Sequence, residues 1–319
     1  MKISFIYHLY ENSTNLEKSI KSLLSQTSKS FEIIFIDDFA SDEVKKILNS
    51  FDLSDKKFKI VRLFENYGRS FSYNLGLEKA SGTYVYFAES KNVFEPDFVK
   101  TISKILDNKK YDFIGFKTNV NNVNDDFETE KEITRDELST NASFIVNCAI
   151  SIRNKVFKKS FLEKKKISFV NYKNLYPIYL FDVLNSYETA FYSSKKLLSL
   201  ENDKNSVKYT YNLYNILESA LLLSYKINES QLDYDTKNNY LVWLPKLCIG
   251  DFLVKMFDSY DNEKTLSIAI NKAWETLEKI DPSFRNNKSL DLLKNPKFKE
   301  YIRSFKPAFS YVKKNFIWG

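Results

Sequence analysis

The first hundred residues alternate short apolar runs with amphipathic stretches, and this alternation restricts the fold more than any other feature of the chain. The apolar runs have strand length and lie at Lys2–Tyr7, Phe31–Ile36, Phe58–Leu63 and Thr83–Phe87. Between them apolar residues recur at helical spacing, as in Leu16, Ile20 and Leu23. Because alternating strands and helices form right-handed βαβ units, the sequence predicts an α/β domain with a mostly parallel sheet.

Polar segments directly follow all four predicted strands. They are His8–Glu11, Asp37-Asp38, Glu65–Ser70 and Ala88–Asn92. Parallel strands present their carboxyl ends at one edge of the sheet, where such sheets bind ligands. We therefore expect these four segments to meet and to form a binding site.

The second half of the chain changes pattern. Asn119–Glu130 is polar and predicted to be a loop, and Asn141–Ile152 is predicted to be a strand. Arg153–Lys173 carries eight Lys/Arg against one Glu, which is typical of a solvated face. From about residue 205 the apolar spacing is helical, so we predict one domain over 1–203 and an all-helical domain over 204–319.

Composition excludes several classes of function. With two cysteines a hundred residues apart and a single histidine, His8, the chain offers neither a Cys/His zinc site nor a disulfide framework. No run of eighteen apolar residues is present, and the N-terminus enters a strand pattern without a signal-peptide core. We therefore expect a cytoplasmic protein. The net charge of +7 suits an anionic partner.

Residues 1 to 200 resemble the family 2 glycosyltransferases of GT-A fold, which are Rossmann-like. The motifs that carry the resemblance are Ser4–Glu11, of which Tyr10 keeps the tyrosine of a Pro-x-Tyr-Asn turn; Leu16–Thr27; Ile36–Asp42, which matches Val-Asp-Asp-Gly-Ser-Thr-Asp; Asn66-Tyr67-Gly68; Asn74-Leu75-Gly76; and Asn154–Leu162. The resemblance implies a nucleotide-sugar site, for a UDP- or GDP-sugar, at the expected edge of the sheet.

The resemblance also implies roles for individual residues. Asp37 and Asp38 match the acid that holds the base, although two acids here can equally cap the next helix. Asn66 and Gly68 would lie beneath the nucleotide, unless they only form a tight loop. Tyr10, Asn74, Glu89 and Lys91 complete the set of expected nucleotide-sugar contacts.

The family pattern is broken where a metal is expected. Members carry Asp-x-Asp after the fourth strand, and its carboxylates hold Mg²⁺ or Mn²⁺ against the leaving diphosphate. Here the segment reads Ala88-Glu89-Ser90-Lys91-Asn92, so Glu89 is the one remaining candidate ligand and Lys91 replaces the second acid. An ammonium repels a divalent cation, and we do not expect normal metal binding.

Two further family positions differ. The arginine that precedes Asn74 in the family is Tyr73, and the acid pair that supplies the catalytic base aligns with Tyr176-Pro177. Asp182 and Glu188 lie nearby in sequence and are weak candidates for a displaced base. Two interpretations follow: an active, metal-independent transferase in which Lys91 neutralises the diphosphate and the acceptor is a lipid or polysaccharide, or an inactive relative that serves as a binding or scaffold protein.

The C-terminal segment 294–319 carries seven Lys/Arg and one Glu. Its apolar residues step by three and four and form one stripe: Phe298, Ile302, Phe305, Phe309, Val312 and Phe316. Such a stripe either lies on an anionic membrane, here the inner face, or packs against the other C-terminal helices. No nucleic-acid-binding motif accompanies the basic residues, so nucleic acid is not an expected partner.

Overall fold

The computed structural model describes residues 2–11, 15–119, 130–135, 137, 142–170, 176–200 and 213–304. The strands are β1 (Ile3–Leu9), β2 (Phe31–Asp37), β3 (Phe58–Arg62), β4 (Tyr84–Ala88), β5 (Asn92–Phe94), β6 (Phe113–Thr118), β7 (Lys131–Thr134), β8 (Lys155–Lys158) and β9 (Thr189–Leu200). In the described residues up to 200, the helices with defined bounds are α1 (Leu16–Leu24), α2 (Asp42–Asn49), α3 (Arg69–Lys79), α4 (Phe98–Asn108), α5 (Ala142–Asn147), α6 (Lys159–Lys164) and α7 (Tyr176–Ser186).

The later helices are α8 (Asn215–Glu229), α9 (Tyr234–Leu241), α10 (Trp243–Pro245), α11 (Phe252–Ser259), α12 (Glu263–Ile280) and α13 (Pro296–Arg303). A π-helical segment, Lys246–Asp251, connects α10 to α11, and two short 3₁₀ turns lie between α12 and α13. Among the described residues, no helix is long and apolar enough to cross a bilayer.

The chain forms two compact units. The first comprises residues 1–135 and 149–203, and the second comprises 136–148 and 204–319. Segment 136–148 therefore belongs to the second unit, although it lies well before the boundary near residue 203 that the sequence suggested.

The first unit contains a sheet with the order β3-β2-β1-β4-β8-β6-β9-β5 and with β7 also paired to β9. Strands β1 to β4 are mutually parallel and begin and end within a residue or two of the predicted runs. The predicted α/β class, with a helical C-terminal region, is confirmed. Strand β8 is antiparallel to both β4 and β6, so the sheet continues beyond its parallel half.

Aromatic side chains fill much of the core on one face of the sheet. The Phe5 ring lies 5.0 Å from that of Phe94 and 5.7 Å from that of Tyr86. On the opposite face, α3 lies so close to β1 that a Cβ on Gly76 would be 2.2 Å from Cγ2 of Ile6. Glycine at this position lets α3 approach the sheet, and the start of α3 is thereby brought to the carboxyl end of the strands.

The second unit is helical, and its packing corrects one prediction. Residues 141–152 do not form a strand: 142–147 are helix α5, and Phe144, Ile145 and Val146 are buried. The Trp243 indole donates to the Ile145 carbonyl at 2.8 Å, and Lys246 Nζ donates to the carbonyls of Val146 and Cys148. These donors satisfy the carboxyl end of α5, so that tertiary contacts outweigh the strand preference of the β-branched run.

Two other predicted segments lie largely outside the described residues. They are the loop at Asn119–Glu130, of which 120–129 are not described, and the apolar stripe from Phe305 onward. Within the described part of that stripe, Ile302 is fully buried and Phe298 is half-buried on α13. This part of the stripe packs against protein.

Candidate functional site

Three of the polar segments that follow strands are tied together by the Asp38 carboxylate. Asp38 Oδ2 accepts from His8 Nε2 at 2.9 Å and from the Gly68 backbone N–H at 2.8 Å. Its Oδ1 accepts from the Tyr67 backbone N–H at 2.7 Å. The segments after β1, β2 and β3 therefore meet at one edge of the first unit, as expected.

Electrostatics identify the Asp38–His8 contact as a hydrogen bond to a carboxylate. Burial would raise the pKa of Asp38, but hydrogen bonds from His8, Tyr67 and Gly68 outweigh it and hold the pKa below its usual value. Burial lowers the pKa of His8, so its imidazole is neutral near pH 7 and donates through Nε2. Asp38 is fully buried and both of its oxygens are used within the protein. It therefore anchors the loop through contacts within the protein, and its contact with the nucleotide stays a prediction.

Asp37 also makes internal contacts. Its Oδ1 accepts from the Ala40 backbone N–H at 2.8 Å, and its Oδ2 lies 3.7 Å from Arg62 Nε. The intervening turn places Phe39 at a backbone φ of 60°, where the family motif has glycine. The structure shows the turn role that the sequence left open for Asp37, whereas α2 is capped by Ser41, whose side chain accepts from the Val44 N–H.

The loop before α3 has the geometry of a tight turn. Asn66 Oδ1 accepts from the Gly68 N–H at 2.9 Å, and Gly68 has a φ of 85°, which favours glycine. Helix α3 then begins at Arg69. Tyr10 lies against the turn after β2, where its carbonyl accepts from the Ser41 N–H at 2.9 Å.

The fourth segment contributes Glu89, which is surrounded by positive charge. Arg153 donates to it through Nε at 3.0 Å and through Nη2 at 3.3 Å. The Tyr176 hydroxyl donates to Oε1 at 2.7 Å. Arg69 Nη1 and Lys91 Nζ each lie 3.6 Å from a carboxylate oxygen. These five residues are called the Glu89 cluster below.

One carboxylate faces three cations in the Glu89 cluster, so the cluster carries an excess of positive charge. Burial would raise the pKa of Glu89, but Arg153, Lys91 and Arg69 hold it well below its usual value. Burial raises the pKa of Tyr176 to about 12. At neutral pH Glu89 is therefore ionised, but its low pKa makes it a very weak base, and Tyr176 is already protonated. Neither side chain is suited to remove a proton.

Arg153 is held in place by the turn 149–155. The buried Lys155 Nζ donates to Asn154 Oδ1 at 2.9 Å and to the carbonyls of Ser151 and Ala149 at 3.1 and 3.3 Å. The Tyr86 hydroxyl donates to the Arg153 carbonyl at 2.6 Å. The basic run is thus not simply a solvated face, because Lys155 is fully buried.

Tyr176 is positioned by the packing of α7. Its hydroxyl accepts from Arg69 Nη1 at 3.0 Å, and one turn later Tyr179 stacks on Phe169 with ring centroids 4.1 Å apart. Asn74 holds Phe169 through two hydrogen bonds, of 2.7 and 2.9 Å, to its backbone. The side-chain amide of Asn74, expected to contact the nucleotide, is therefore used to hold this segment.

The sheet register and the helix geometry give the positions of the two acids proposed as a displaced base. Ala190, next to the start of β9, is level with Phe113, Phe157 and Val85, which places Glu188 beyond the amino end of the strands. Glu188 therefore lies at the end of the strands opposite to Glu89, and a role as the base stays a prediction that this position does not support. Asp182 follows Tyr176 by six residues on α7, about 9 Å along the helix axis.

The metal implied by the family resemblance does not fit these residues. Both oxygens of Glu89 accept hydrogen bonds from Arg153, and Lys91 occupies the place of a second acid. Among the residues that the structure describes, no group of three or more His, Cys, Asp or Glu side chains could hold a metal ion. A divalent cation at Glu89 would lie beside three positively charged side chains, which would repel it.

Sequence reasoning missed Arg69 and Arg153. Arg69 directly follows Gly68, a position at which a helix start on the ligand edge could have been noticed. Arg153 is 64 residues from Glu89, and its local sequence gives no sign of the pairing. Exposed aromatic side chains also lie in these segments: Phe39 and Phe64, and the stacked pair Tyr67 and Phe71, with centroids 4.8 Å apart.

The chain is similar to several known proteins. The profile described as "Glycosyl transferase family 2" matches residues 4–165. "Glycosyltransferase GlyA" of Streptococcus pneumoniae serotype 4 is 34% identical over 103 residues, which is 32% of this chain and 15% of that relative. The chain thus spans a small part of the length of that relative.

Two further relatives match over most of the chain. The "GalNAc(5)-diNAcBac-PP-undecaprenol beta-1,3-glucosyltransferase" of Campylobacter jejuni is 27% identical over 248 residues, 75% of this chain and 78% of that protein. The crystal structure of S. aureus TarS 1-349 in complex with UDP-GlcNAc aligns with a TM-score of 0.61 at 18% identity, covering 90% of this chain and 92% of that one. The latter likeness shows a shared fold.

Proposed function

Since the chain belongs to glycosyl transferase family 2, we propose that it transfers a sugar from a nucleotide-sugar donor to the glycan of a lipid-linked acceptor. The observation that carries the proposal is the edge at which four polar segments converge on a positively charged cluster. Open α/β sheets bind ligands at such an edge, and the excess positive charge suits a diphosphate.

The donor class is supported by the solved relative and by the chemistry of the site. TarS was crystallised with UDP-GlcNAc. In the present chain, two guanidinium groups and one ammonium surround Glu89, and both kinds of cation pair well with phosphate oxygens. UDP-sugars are the first donors to test, and GDP-sugars the second.

The acceptor class is inferred from the C. jejuni relative, whose name states a glycan on PP-undecaprenol and which matches 75% of this chain. In the transfer, the acceptor hydroxyl oxygen bonds to the anomeric carbon of the donor sugar. The bond from that carbon to the phosphate oxygen breaks, its electron pair leaves with the nucleoside diphosphate, and the hydroxyl proton is released to water. A polysaccharide acceptor is the alternative that the same reaction allows.

The test is a transfer assay with purified full-length protein. UDP- and GDP-sugars are supplied with a short glycan on a polyprenyl diphosphate, and products are followed by mass spectrometry. We expect one hexose or N-acetylhexosamine to be added, and we expect the Glu188→Gln variant, altered at the far edge of the sheet, to retain that activity. If the protein neither binds nor turns over any nucleotide sugar, the proposal is contradicted.

The alternative that the sequence left open, an inactive relative acting as a scaffold, gains no support from the comparisons, because the matched relatives are named as transferases. An inactive relative would bind the donor in the same assay but would transfer no sugar, either to a lipid-linked acceptor or to a polysaccharide.

A lipid-linked acceptor lies at a membrane surface, and the basic segment 294–319 is the part of this chain that suits an anionic one. We expect the protein to sediment with liposomes containing phosphatidylglycerol and to remain in the supernatant with phosphatidylcholine alone. A variant with Lys306, Lys313 and Lys314 changed to Gln is expected to lose most of this binding. Equal sedimentation of the wild type and this variant with phosphatidylglycerol liposomes would contradict a membrane contact through these lysines.

A further inference from the structure

The Glu89 cluster lies where other members of the family hold a divalent metal, yet it already contains its own cations. Glu89 follows β4 directly, and its side chain is only 10% exposed. Arg153 binds both of its oxygens, as a guanidinium binds a carboxylate in its most favourable geometry. A divalent ion at Glu89 would have to displace Arg153 and lie beside two further cations.

The three cations differ in how exposed they are. Arg153 makes two hydrogen bonds to Glu89, is 23% exposed, and extends from a turn fixed by Lys155 and Tyr86. Arg69 and Lys91 are 48% and 38% exposed, and their nitrogens lie 3.6 Å from Glu89, beyond normal hydrogen-bond length. Arg69 and Lys91 are therefore the cations that an anionic ligand reaches first, while Arg153 lies deeper.

We propose that Arg69, Lys91 and Arg153 together take the place of the divalent metal at the donor diphosphate, and that Glu89 serves to hold these cations. This inference rests on the proposed function, because the diphosphate concerned is that of the nucleotide sugar. The donor carries a negative charge on each phosphate, and the cluster has a matching excess of positive charge.

The chemistry of the transfer uses such fixed cations well. When the bond between the anomeric carbon and the phosphate oxygen breaks, the departing nucleoside diphosphate gains negative charge. Preorganised cations in a site partly shielded from water stabilise that charge without having to reorganise. Tyr176 adds a neutral donor between Arg69 and Glu89, and so keeps Arg69 oriented toward the site.

Substitution of Glu89 distinguishes a site built on these three cations from a metal-dependent site. If Glu89 were a metal ligand, Glu89→Gln would lose Mn²⁺-dependent nucleotide binding. If Glu89 only holds the cations, Glu89→Gln removes an anion that competes with the diphosphate, and UDP binds as well as before or more tightly. The amide has nearly the same shape and keeps one oxygen that accepts from Arg153, while its NH₂ group replaces the second acceptor, so the melting temperature of the variant is measured together with its affinity.

The experiment is calorimetric titration of the full-length protein with UDP, first in EDTA and then in MnCl₂, with uridine as the uncharged comparison. We expect UDP to bind in EDTA, and Arg69→Gln and Lys91→Gln each to weaken it by about tenfold, with little change for uridine. Arg153→Lys keeps the charge but loses the two-bond geometry, and is expected to weaken UDP binding as well. Lys100→Gln, an exposed change on α4, is the matched control.

The outcomes distinguish this inference from the proposed function. UDP binding that requires MnCl₂ would overturn the metal replacement and leave the transferase proposal intact. So would loss of binding in Glu89→Gln when its melting temperature is unchanged, or wild-type affinity in both Arg69→Gln and Lys91→Gln. Failure of UDP and of GDP to bind in every buffer would overturn both.

Discussion

Asp38 shows how one buried acid organises a site through contacts made within the protein. Three donors from two separate segments use its two oxygens. We predict that Asp38→Asn lowers the free energy of unfolding by about 2–3 kcal/mol, because an amide offers one acceptor and turns its NH₂ toward an N–H donor. Urea unfolding measures the change, with the exposed Asp42→Asn as control; equal stability of the two variants would refute the anchoring role.

Stability is expected to depend on acid through the same residues. The pKa values of Asp38 and Glu89 are lowered in the folded protein. Their stabilisation is therefore complete above the usual pKa of an unfolded carboxyl, about 4, and is lost as the pH falls through the lower, folded values. Urea titrations between pH 7 and pH 3 should show the loss at the acid end, and a smaller loss for Glu89→Gln. A stability that stays constant down to pH 3 would contradict this.

The strained backbone of Phe39, which lies at the same edge of the sheet, should affect stability measurably. Phe39 has a φ of 60° and is 61% exposed, so its backbone is strained and its ring is not needed by the core. We predict that Phe39→Gly raises the free energy of unfolding by about 1 kcal/mol, because glycine adopts this conformation without strain. Phe64→Gly, at another exposed aromatic position, controls for loss of the ring. A destabilised Phe39→Gly would show that the ring makes contacts of its own.

At the scale of elements, the approach of α3 to β1 determines where the site's helix begins. A Cβ at position 76 would overlap Ile6, whereas one at Gly250 meets its nearest atom, in Phe298, at 3.9 Å. We predict that Gly76→Ala costs about 2 kcal/mol of stability despite its better helix propensity, and that Gly250→Ala costs little. Thermal melting compares the two, and similar melting temperatures would show that α3 shifts without cost.

The turn 149–155 is the second element that the site depends on. Its carbonyls are gathered by the buried ammonium of Lys155, and Arg153 extends from it. We predict that Lys155→Met lowers stability by about 1–3 kcal/mol and also weakens UDP binding, because Arg153 loses its support. The exposed Lys164→Met on α6 is the control. UDP affinity that survives in Lys155→Met would show that Glu89 and Tyr86 position Arg153 without help from Lys155.

The elements of the parallel half could be predicted because their signals are local. The runs ending near Tyr7, Ile36 and Phe87 are apolar, have strand length and are followed by polar residues, and that pattern needs no knowledge of distant partners. The prediction failed at 142–147, where Ile145 and Val146 favour a strand in isolation but pack as helix against Trp243 and Lys246.

The site was predictable in place but not in its contacts. Strand order alone brought Asp38, Gly68 and Glu89 to one edge. The hydrogen-bond partners of the two buried acids are distant in sequence, about 30 residues away for Asp38 and 64 residues away for Glu89. No local sequence pattern predicts these contacts. The nucleotide-contact roles expected from the sequence all stay predictions, namely those of Tyr10, Asp37, Asp38, Asn66, Gly68, Asn74, Glu89 and Lys91.

At the scale of the molecule, the second unit is built from two separate stretches of chain. Trp243 and Lys246 donate to carbonyls of the 142–148 stretch, and Ile145 is fully buried. We predict that a fragment 204–319 is poorly folded alone and gains helical circular dichroism when a peptide of residues 136–148 is added. A Trp243→Phe fragment should respond less, and a fragment that is fully helical without the peptide would contradict the prediction.

The carboxylate of Glu89 has one more consequence. Because it already offers a full negative charge to Arg69 and Lys91, an incoming ligand must present more charge than a simple monoanion to draw them away. Chloride and other abundant monovalent anions of the cell would compete poorly, whereas a pyrophosphate group would compete well. We therefore expect Glu89 to make the Glu89 cluster selective for multivalent over monovalent anions, before any sugar or base is recognised.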